Sequence, residues 1–209
     1  MAEETKKRIN KRDRILQTAS EVFARYGYDK TTLDDIGKKC GLNKASLYYY
    51  FSNKEDIYVQ VIMAETTVFI SELQEQTASF NTTAEKIQHY LIERVKRYEA
   101  VLNLTQLSFE ALQKVEPLFK ELYVTVRAKE VDFLERILQL GINAKEIVDQ
   151  YTARELAESC FLISDAIKHD RQTQSSLYRV DSGKHDYTHI EERLGNIIGW
   201  IFKGLAYRV

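Results

Sequence analysis

The sequence predicts an all-α protein of about nine helices, with a small N-terminal three-helix domain over residues 1–54 and a larger helical domain over residues 55–209. Three observations predict this class. One proline and eight glycines are too few breaks for a fold of many short strands. Apolar residues recur at helical spacing along most of the chain. Several helix starts are marked by Ser, Thr or Asn followed by acidic residues.

The first helix of the N-terminal domain is predicted to begin at Lys11. Residues 1–10 are polar and charged, and we expect them to be disordered or to form a basic arm. Gly27 ends the helix, because glycine adopts the left-handed conformation of a helix C-cap at little cost. The apolar face of this helix consists of Ile15, Ala19, Val22, Phe23 and Tyr26.

Two short helices follow, and Gly41 supplies the tight turn between them. Thr32 is a good N-cap for the first of these helices, since acidic residues then occupy its positive first turn. Asn43 caps the next helix, which we expect to cover residues 44–51. The side chains expected to hold this pair of helices together are Ile36, Cys40, Leu42, Leu47 and Phe51.

The larger domain is predicted to open with two long helices. The first extends from a cap at residues 52–53 to about residue 77, with Ala64 and Val68 in its apolar register. The second carries its apolar residues between positions 87 and 102. Both are long enough to contribute to a sizeable core.

Proline and glycine divide the next part of the chain. We expect a short helix near residues 104–112, because Pro117 fits the first turn of a separate helix, where its missing N–H is no loss. Gly141 is the predicted C-cap of that longer helix. Thr152 then caps a helix that we follow to Ile167.

The end of the chain combines a polar stretch with an apolar helix. Residues 169–187 are polar and irregular, and we expect a long loop there. The last helix, over residues 188–207, is apolar over more than a narrow stripe, which indicates a partner. Gly195 and Gly199 either allow close helix approach or are tolerated in a buried helix, and the sequence leaves both interpretations open.

The charge is divided unevenly along the chain. Residues 1–54 contain 12 Lys and Arg against 7 Asp and Glu, a net charge of +5, whereas residues 55–209 contain 18 against 24, a net charge of −6. A basic first quarter beside a mildly acidic remainder favours contact between the N-terminal domain and a polyanion such as nucleic acid. Chance fluctuation in a short segment is the alternative.

The two short helices at the glycine turn are typical of a helix-turn-helix that binds DNA. Such a unit presents the first residues of its second helix to base edges in the major groove. Lys44 suits guanine, Ala45 suits a thymine methyl, and Ser46 suits a base or a phosphate. The tyrosines at positions 48–50 point about 100° apart, so they cannot all be buried. Exposed tyrosines beside lysines suit phosphate bonding and contact with thymine.

This stretch resembles the DNA-binding signature of the TetR family of transcriptional regulators. The match has the order T-x3-I-x4-G-x5-LY-x2-F-x2-K, and Ile15, Ala19, Phe23 and Gly27 fit the spacing of the family's first helix. The matching residues are Thr32, Ile36, Gly41, Leu47, Tyr48, Phe51 and Lys54. The sequence departs from the family where Gly37 and Ala45 stand, and we expect Gly37 to loosen its helix slightly relative to alanine.

The resemblance implies roles for individual residues in DNA binding. Thr32 would cap its helix and touch a phosphate, and Tyr48 and Lys54 would hold the DNA backbone. Sequence would be read by Lys44, Ala45, Ser46, Tyr49 and Tyr50, and we also expect Tyr50 to face phosphates. A plain helical hairpin with packed tyrosines is the alternative.

The resemblance further implies an all-helical effector domain with a ligand cavity and dimerisation through the last two helices. The candidate ligand-binding residues are Phe69, Tyr98, Phe109, Phe133, Phe161 and His169, for each of which ordinary core packing is the alternative. The candidate dimer-interface residues are Ile163, Ile167, Leu194, Ile197, Ile198 and Ile201. A two-fold dimer would place its recognition helices about 34–36 Å apart on a palindromic double-stranded DNA operator.

These features predict a ligand-responsive dimeric transcriptional regulator, most often a repressor in this family. The competing hypotheses are an enzyme, for which we find no catalytic arrangement or cofactor motif, and a DNA-binding protein whose body binds another protein instead of a small ligand. We expect no metal site, since His185 and His189 lack a supporting context. Two widely spaced cysteines and no apolar N-terminal run favour a cytoplasmic protein without a signal peptide or membrane span.

Overall fold

The computed structural model describes the backbone of residues 2–102, 107–178 and 188–206. It also describes the side chains of these residues, except for those at positions 2–10, 98–102, 109, 112, 168–178 and 188–190. The described part of the chain contains eight helices and no strand, which confirms the predicted all-α class. Its backbone makes one isolated bridge, between Ile147 and Ala206.

The helices follow one another with short connections. Their bounds are α1 Ala2–Tyr26, α2 Leu33–Cys40, α3 Lys44–Tyr48, α4 Lys54–Ala78, α5 Thr83–Leu102, α6 Phe109–Asn143, α7 Ala153–Tyr178 and α8 Thr188–Leu205. No helix in these ranges is both long enough and apolar enough to cross a membrane. The chain divides into two compact units, and α4, α5 and α6 contribute residues to both.

The first unit comprises residues Met1–Val68 and Val101–Thr125. Its core is an aromatic cluster in which the Tyr58 ring lies 5.1 Å from Phe23, 4.8 Å from Tyr28 and 6.3 Å from Phe119. Edge-to-face packing of this kind adds to the stabilisation that comes from apolar burial alone. The aliphatic residues that complete this core are Ile15, Leu16, Ala19, Val22, Ile36, Leu47 and Ile57.

The second unit comprises residues Phe69–Ala100 and Val126–Val209. Side chains from α4 to α8 form its core, and the largest contribution is aliphatic. The buried residues include Leu73, Ile87, Leu91, Val95, Leu134, Leu138, Ala157, Phe161, Leu194 and Ile198. The α7 and α8 helices pack against each other within this unit.

Several helix boundaries differ from the predicted ones, beginning with those of α1 and α3. Helix α1 begins at Ala2, so residues 2–10 are helical and the predicted disorder is wrong. Six of residues 2–10 are Ala, Glu, Lys or Arg, which have high helix propensity. Ile9 is the single large apolar residue among them, so no apolar periodicity indicates the helix. Helix α3 ends at Tyr48 rather than near Phe51.

Pro117 lies inside a helix rather than at the start of one. Helix α6 runs unbroken from Phe109 to Asn143, so the predicted short helix near residues 104–112 is not separate from the longer one. Both Pro117 and Gln113, whose carbonyl loses its usual N–H partner, are exposed. Water can satisfy that carbonyl, which reduces the cost of an internal proline.

Gly141 and the polar stretch after Ile167 also differ from prediction. Gly141 is helical, not a left-handed C-cap, and a Cβ there would lie 2.3 Å from Thr83 Oγ1. Its role is therefore to let α5 and α6 approach closely. Helix α7 continues to Tyr178, so the first ten residues of the predicted 169–187 loop are helical, and residues 179–187 lie outside the described part of the chain.

Three residues placed on apolar faces are exposed instead. Tyr26 and Val68 rank among the large exposed hydrophobic side chains, and Ala64 is also exposed. Tyr28, in the connection between α1 and α2, is buried. The positive φ angles of Gly27 (77°) and Gly41 (70°) confirm both predicted left-handed turns of the N-terminal domain.

Candidate nucleic-acid interface

The turn between α2 and α3 is held by backbone geometry that depends on glycine. Gly41 adopts the left-handed conformation, and the Leu42 N–H donates to Gly37 O at 2.8 Å. Asn43 then caps α3, because its Oδ1 accepts from Ser46 N at 2.8 Å. Leu47 is 1% exposed and fixes α3 to the core. The turn therefore presents a short helix with one buried anchor and several exposed side chains.

Gly37 has a second role at this turn. A Cβ on Gly37 would lie 2.7 Å from Leu42 O, a backbone atom that cannot move aside without disturbing the turn. The glycine thus permits the close approach of α2 to the chain after Gly41. The expectation that Gly37 loosens α2 therefore leaves out this steric role.

A capping box begins α2. Thr32 Oγ1 accepts from Asp35 N at 3.2 Å, and Asp35 Oδ2 accepts from the Thr32 backbone N–H at 2.9 Å and from its hydroxyl at 2.6 Å. These hydrogen bonds, first that of the Thr32 side chain and then that of its backbone, lower the pKa of Asp35. Thr32 is exposed on the surface, where its predicted phosphate contact would have to share the hydroxyl with Asp35.

The first residues of α3 lie at the surface as the helix-turn-helix prediction requires. Lys44 and Ala45 are exposed and Ser46 is half-buried. Lys44 Nζ lies 3.9 Å from Asp34 Oδ2 in a solvent-exposed pair, which is weak enough to be exchanged for a phosphate or a base. The Ser46 hydroxyl donates to Asn43 Oδ1 at 2.8 Å.

The three consecutive tyrosines lie in different environments. Tyr48 is 51% exposed and Tyr49 is 65% exposed, whereas Tyr50 is half-buried. The rings of Tyr49 and Tyr50 meet edge to face at 5.0 Å, so each restricts the other's orientation. Two large rings with phenolic hydroxyls thus project from the end of α3, where they can reach phosphate oxygens or thymine methyl groups.

Lys54 lies against the connection between α1 and α2. Its Nζ donates to Tyr28 O at 3.0 Å and to Thr31 O at 3.1 Å, and it lies 4.0 Å from the centre of the Tyr28 ring. Desolvation by burial lowers the pKa of Lys54. The ammonium thus ties the first residue of α4 to the connection between α1 and α2, and its contact with DNA stays a prediction.

The α1–α2 connection carries further contacts that the sequence interpretation missed. The Tyr28 hydroxyl donates to Glu55 Oε1 at 2.9 Å. Asp29 accepts from Ser108 N at 2.9 Å and from Ser108 Oγ at 2.8 Å, next to the start of α6. These pairs are 27 and 79 residues apart in sequence, so no local pattern predicts them.

The candidate ligand-binding residues are only partly described. Phe69 and Phe161 are buried and Phe133 is half-buried, whereas the side chains of Tyr98, Phe109 and His169 lie outside the described residues. Phe133 lies 5.0 Å from the Tyr90 ring, and Arg94 covers the Phe161 ring at 4.0 Å. Phe133 and Phe161 therefore both pack against residues of α5, namely Tyr90 and Arg94.

A buried polar cluster includes both of these α5 residues. Arg94 donates to Glu130 Oε1 at 2.9 Å, to Ser164 Oγ at 3.1 Å and to Asp165 Oδ1 at 2.9 Å. The Tyr90 hydroxyl donates to the same Glu130 oxygen at 3.1 Å. The sequence shows these residues as isolated polar positions in apolar helices, and no motif identifies them. Among the described residues no group of His, Cys, Asp and Glu is arranged to hold a metal.

The candidate dimer residues lie on α7 and α8. Leu194 and Ile198 are buried within the subunit, whereas Ile163, Ile167, Ile197 and Ile201 are half-buried. The same two helices expose Leu162 (66%) and Trp200 (67%). Gly195 approaches Gln88 so closely that a Cβ would lie 2.9 Å from its Nε2, while a Cβ on Gly199 would meet nothing within 4 Å.

Comparison with known proteins matches the region that contains this turn. The family model described as "Bacterial regulatory proteins, tetR family" matches residues 15–61, which include α2, α3 and the Lys54 contacts. Residues 15–61 are thus similar to the N-terminal region of TetR-family regulators. IcaR of Staphylococcus epidermidis, a negative transcriptional regulator of a biofilm operon, is 53% identical over 47 residues, 22% of this chain and 25% of that protein. The TetR-type similarity to this curated relative thus spans a quarter of its length.

Solved structures extend the likeness to the whole fold. A transcriptional regulator from Cytophaga hutchinsonii has a TM-score of 0.72 and 28% identity, and the match covers 92% of this chain and 96% of that one. FadR from Bacillus subtilis, solved with stearoyl-CoA, has a TM-score of 0.53 and 23% identity, with coverage of 88% and 96%. All three of these proteins are transcriptional regulators.

Proposed function

We propose that this protein is a homodimeric, sequence-specific DNA-binding repressor that a small-molecule effector releases from a palindromic operator. The observation that carries the DNA-binding part is the exposed end of α3. Leu47 is buried on one side of this helix, while Lys44, Ala45, Tyr48 and Tyr49 are exposed on the others. A helix anchored in this way and flanked by basic residues suits the major groove.

The proposed contacts divide between phosphates and bases. Tyr48, Tyr50 and Thr32 would bond phosphate oxygens, which position the helix. Lys44, Ala45, Ser46 and Tyr49 would face base edges, which supply sequence preference. Lys54 would act mainly by positioning α4 beneath the turn, because its ammonium already donates to two backbone oxygens. The repressor role is supported by similarity to a negative regulator over the N-terminal domain.

Dimerisation is proposed through α7 and α8. One five-residue recognition helix offers too little contact for tight specific binding, so two copies on one duplex are needed. Exposed Leu162 and Trp200 on these packed helices supply apolar surface for a partner copy. Leu162→Glu should shift the protein from dimer to monomer in sedimentation equilibrium. Leu140→Glu on α6 is the matched control, since both leucines are 66% exposed. A dimer that tolerates Leu162→Glu as well as the control would contradict this interface.

The effector part of the proposal is supported by the fold and by the side chains of the second unit. FadR of Bacillus subtilis, whose fold resembles this one, is known with stearoyl-CoA, so a body of this architecture can accommodate a ligand. A ligand that prefers the form with mis-spaced recognition helices would lower operator affinity by its difference in affinity for the two forms. The second unit carries aromatic side chains and a buried polar cluster with which to recognise one.

Gel shifts test the DNA-binding part directly. We expect the protein to bind DNA from upstream of its own gene in the presence of excess unrelated duplex. Tyr48→Ala should weaken that binding and leave the helical content unchanged. Equal affinity for the upstream and unrelated duplexes at physiological salt would contradict sequence-specific regulation.

A further inference from the structure

A strongly basic segment near the start of α1 takes no part in the proposed DNA contacts or dimer surface. Residues 5–14 contain six Lys and Arg against one Asp, a net charge of +5. Residues 15–54, which include α2 and α3, contain six against four, a net charge of +2. The family match begins at residue 15 and so does not include the basic segment. The positive charge that favours a polyanion partner is therefore concentrated before the helix-turn-helix.

Three of the lysines in α2 to α4 already interact with groups of the protein. Lys39 Nζ lies 2.7 Å from Glu21 Oε2, and Lys44 Nζ lies 3.9 Å from Asp34 Oδ2. Lys54 donates to two backbone oxygens. Because acidic partners offset the first two lysines, the surface around α2 and α3 has little net positive charge with which to attract DNA.

The backbone of the basic segment is helical. Helix α1 runs unbroken from Ala2 to Tyr26. Lys7, Lys11 and Arg14 occupy positions i, i+4 and i+7 of this helix, which lie on one face. Lys11 and Arg14 are exposed. The helix therefore arranges a row of basic residues on a face that the core of the first unit does not use.

Arg12 locates this part of α1 relative to the recognition helix. Its guanidinium lies 5.4 Å from the centre of the Phe51 ring, a cation–π contact with a buried side chain. The Phe51 N–H donates to Leu47 O at 3.0 Å, so this ring belongs to the chain that leaves α3. From Arg12, α1 continues back to Ala2, which is about 15 Å at 1.5 Å per residue. The basic segment thus begins beside the end of α3 and extends beyond it.

We infer that residues 5–14 of α1 form a second DNA contact, in which Lys7, Lys11 and Arg14 bind phosphates beside those that α3 contacts. This inference rests on the DNA-binding part of the proposed function. A row of lysine and arginine on an exposed helix face complements the charge of the DNA backbone. Phosphate contacts carry no base preference, so the segment raises affinity for every duplex and leaves sequence preference to α3.

The salt dependence of DNA binding tests this contact. Lys7→Gln/Lys11→Gln removes two charges and keeps helix propensity nearly constant. Fluorescence anisotropy at several NaCl concentrations gives the slope of log K against log [NaCl] for DNA from upstream of the gene and for an unrelated duplex. The slope should become shallower by about 1–2 on both duplexes, because each neutralised phosphate contributes about 0.9. Affinity for the two duplexes should fall severalfold by the same factor.

Two control variants separate a local contact from a general loss of charge. Lys129→Gln/Lys145→Gln removes two charges from exposed lysines of the second unit and should leave the slope unchanged. Lys7→Arg/Lys11→Arg keeps the charges and should keep the wild-type slope. An unchanged slope in Lys7→Gln/Lys11→Gln, or an equal change in the second-unit control, would overturn the inference.

A further variant covers the case in which the first one loses structure. If circular dichroism shows that Lys7→Gln/Lys11→Gln has lost helix, Lys11→Gln/Arg14→Gln decides the question, since both of these side chains are exposed in the described part of α1. It should make the slope shallower by the same amount. A wild-type slope in this variant would refute the contact.

The unrelated duplex distinguishes this inference from the proposed function. A shallower slope on both duplexes, from a wild-type protein that does not prefer the upstream DNA, supports the second contact and contradicts sequence-specific regulation. Specific binding of the upstream DNA, with a slope that the α1 variants do not change, overturns the second contact and leaves the proposed function in place.

Discussion

The ammonium of Lys54 donates to the backbone oxygen of Tyr28 at 3.0 Å and lies 4.0 Å from the centre of its ring. The two residues are 26 positions apart, and the contact fastens the start of α4 to the connection that precedes the helix-turn-helix. Lys54 therefore helps to hold the connection that leads into α2 and α3.

Replacing Lys54 shows whether this residue mainly stabilises the fold or mainly contacts DNA phosphates. We expect Lys54→Met to lower the free energy of unfolding of the N-terminal domain by about 1–3 kcal/mol, because two backbone oxygens lose a charged donor. Lys44→Met, which changes an exposed lysine, should weaken DNA binding with little change in stability. Urea denaturation and DNA titrations on both variants provide the comparison. If Lys54→Met affects DNA affinity alone, its main role is in phosphate binding.

Gly37→Ala should destabilise the protein although alanine favours helices. The added Cβ would approach Leu42 O to 2.7 Å, so the turn must shift, at a cost of about 1–3 kcal/mol that exceeds the gain in helix propensity. Gly204→Ala, a helical position where a Cβ meets nothing within 4 Å, is the control and should be neutral or slightly stabilising. Thermal melts that show both variants equally stable would disprove the steric role of Gly37.

Tyr48→Ala and Leu47→Ala should have opposite signatures. Leu47 is 1% exposed, so its truncation should cost roughly 2–5 kcal/mol of stability. Tyr48→Ala should reduce operator affinity and leave the melting temperature almost unchanged. Tyr26→Ala is a matched control, since Tyr26 and Tyr48 are both 51% exposed but Tyr26 lies on α1. Equal folding damage from Leu47→Ala and Tyr48→Ala would contradict the assigned environments.

The capping box predicts a pH-dependent contribution from Asp35. Hydrogen bonds from Thr32 lower the pKa of this carboxyl, so its stabilising effect is present above the ordinary aspartate range and is lost as pH falls through the lowered value. Asp35→Asn should therefore be less stable than the wild type near neutral pH, and the difference should shrink below about pH 4. Urea denaturation at several pH values measures it, with Asp34→Asn as a control for charge loss in the same turn. A difference that is constant with pH would argue against the capping role.

Much of the structure around α2 and α3 could be predicted because its determinants are local. Gly27 and Gly41 adopt positive φ, and Thr32 and Asn43 cap the helices that follow them. Each of these roles depends on residues within a few positions. The close approach at Gly37 could not be predicted in this way, since it depends on where the chain returns after the turn.

The packing of α5, α6 and α7 was harder to predict because the residues that determine it lie far apart in sequence. Pro117 predicted the start of a helix, but it lies inside α6. The carbonyl that loses its N–H partner there is exposed to water, so the helix can continue. Gly141 suggested a cap, but its missing Cβ accommodates Thr83, 58 positions earlier. Arg94 and Asp165 are 71 positions apart. The sequence around a polar residue in an apolar helix does not indicate which distant residue it will pair with.

Selection from a pool of random-sequence duplexes tests most directly whether this chain is a dimeric, sequence-specific DNA-binding protein. The wild-type protein should enrich a palindrome with half-site centres about one DNA turn, ~34–36 Å, apart, bound by two protomers per duplex in sedimentation analysis. The Tyr48→Ala protein should enrich that palindrome far less. Recovery of duplexes with no common sequence, or binding of a single protomer to a site without two-fold symmetry, would contradict the proposal.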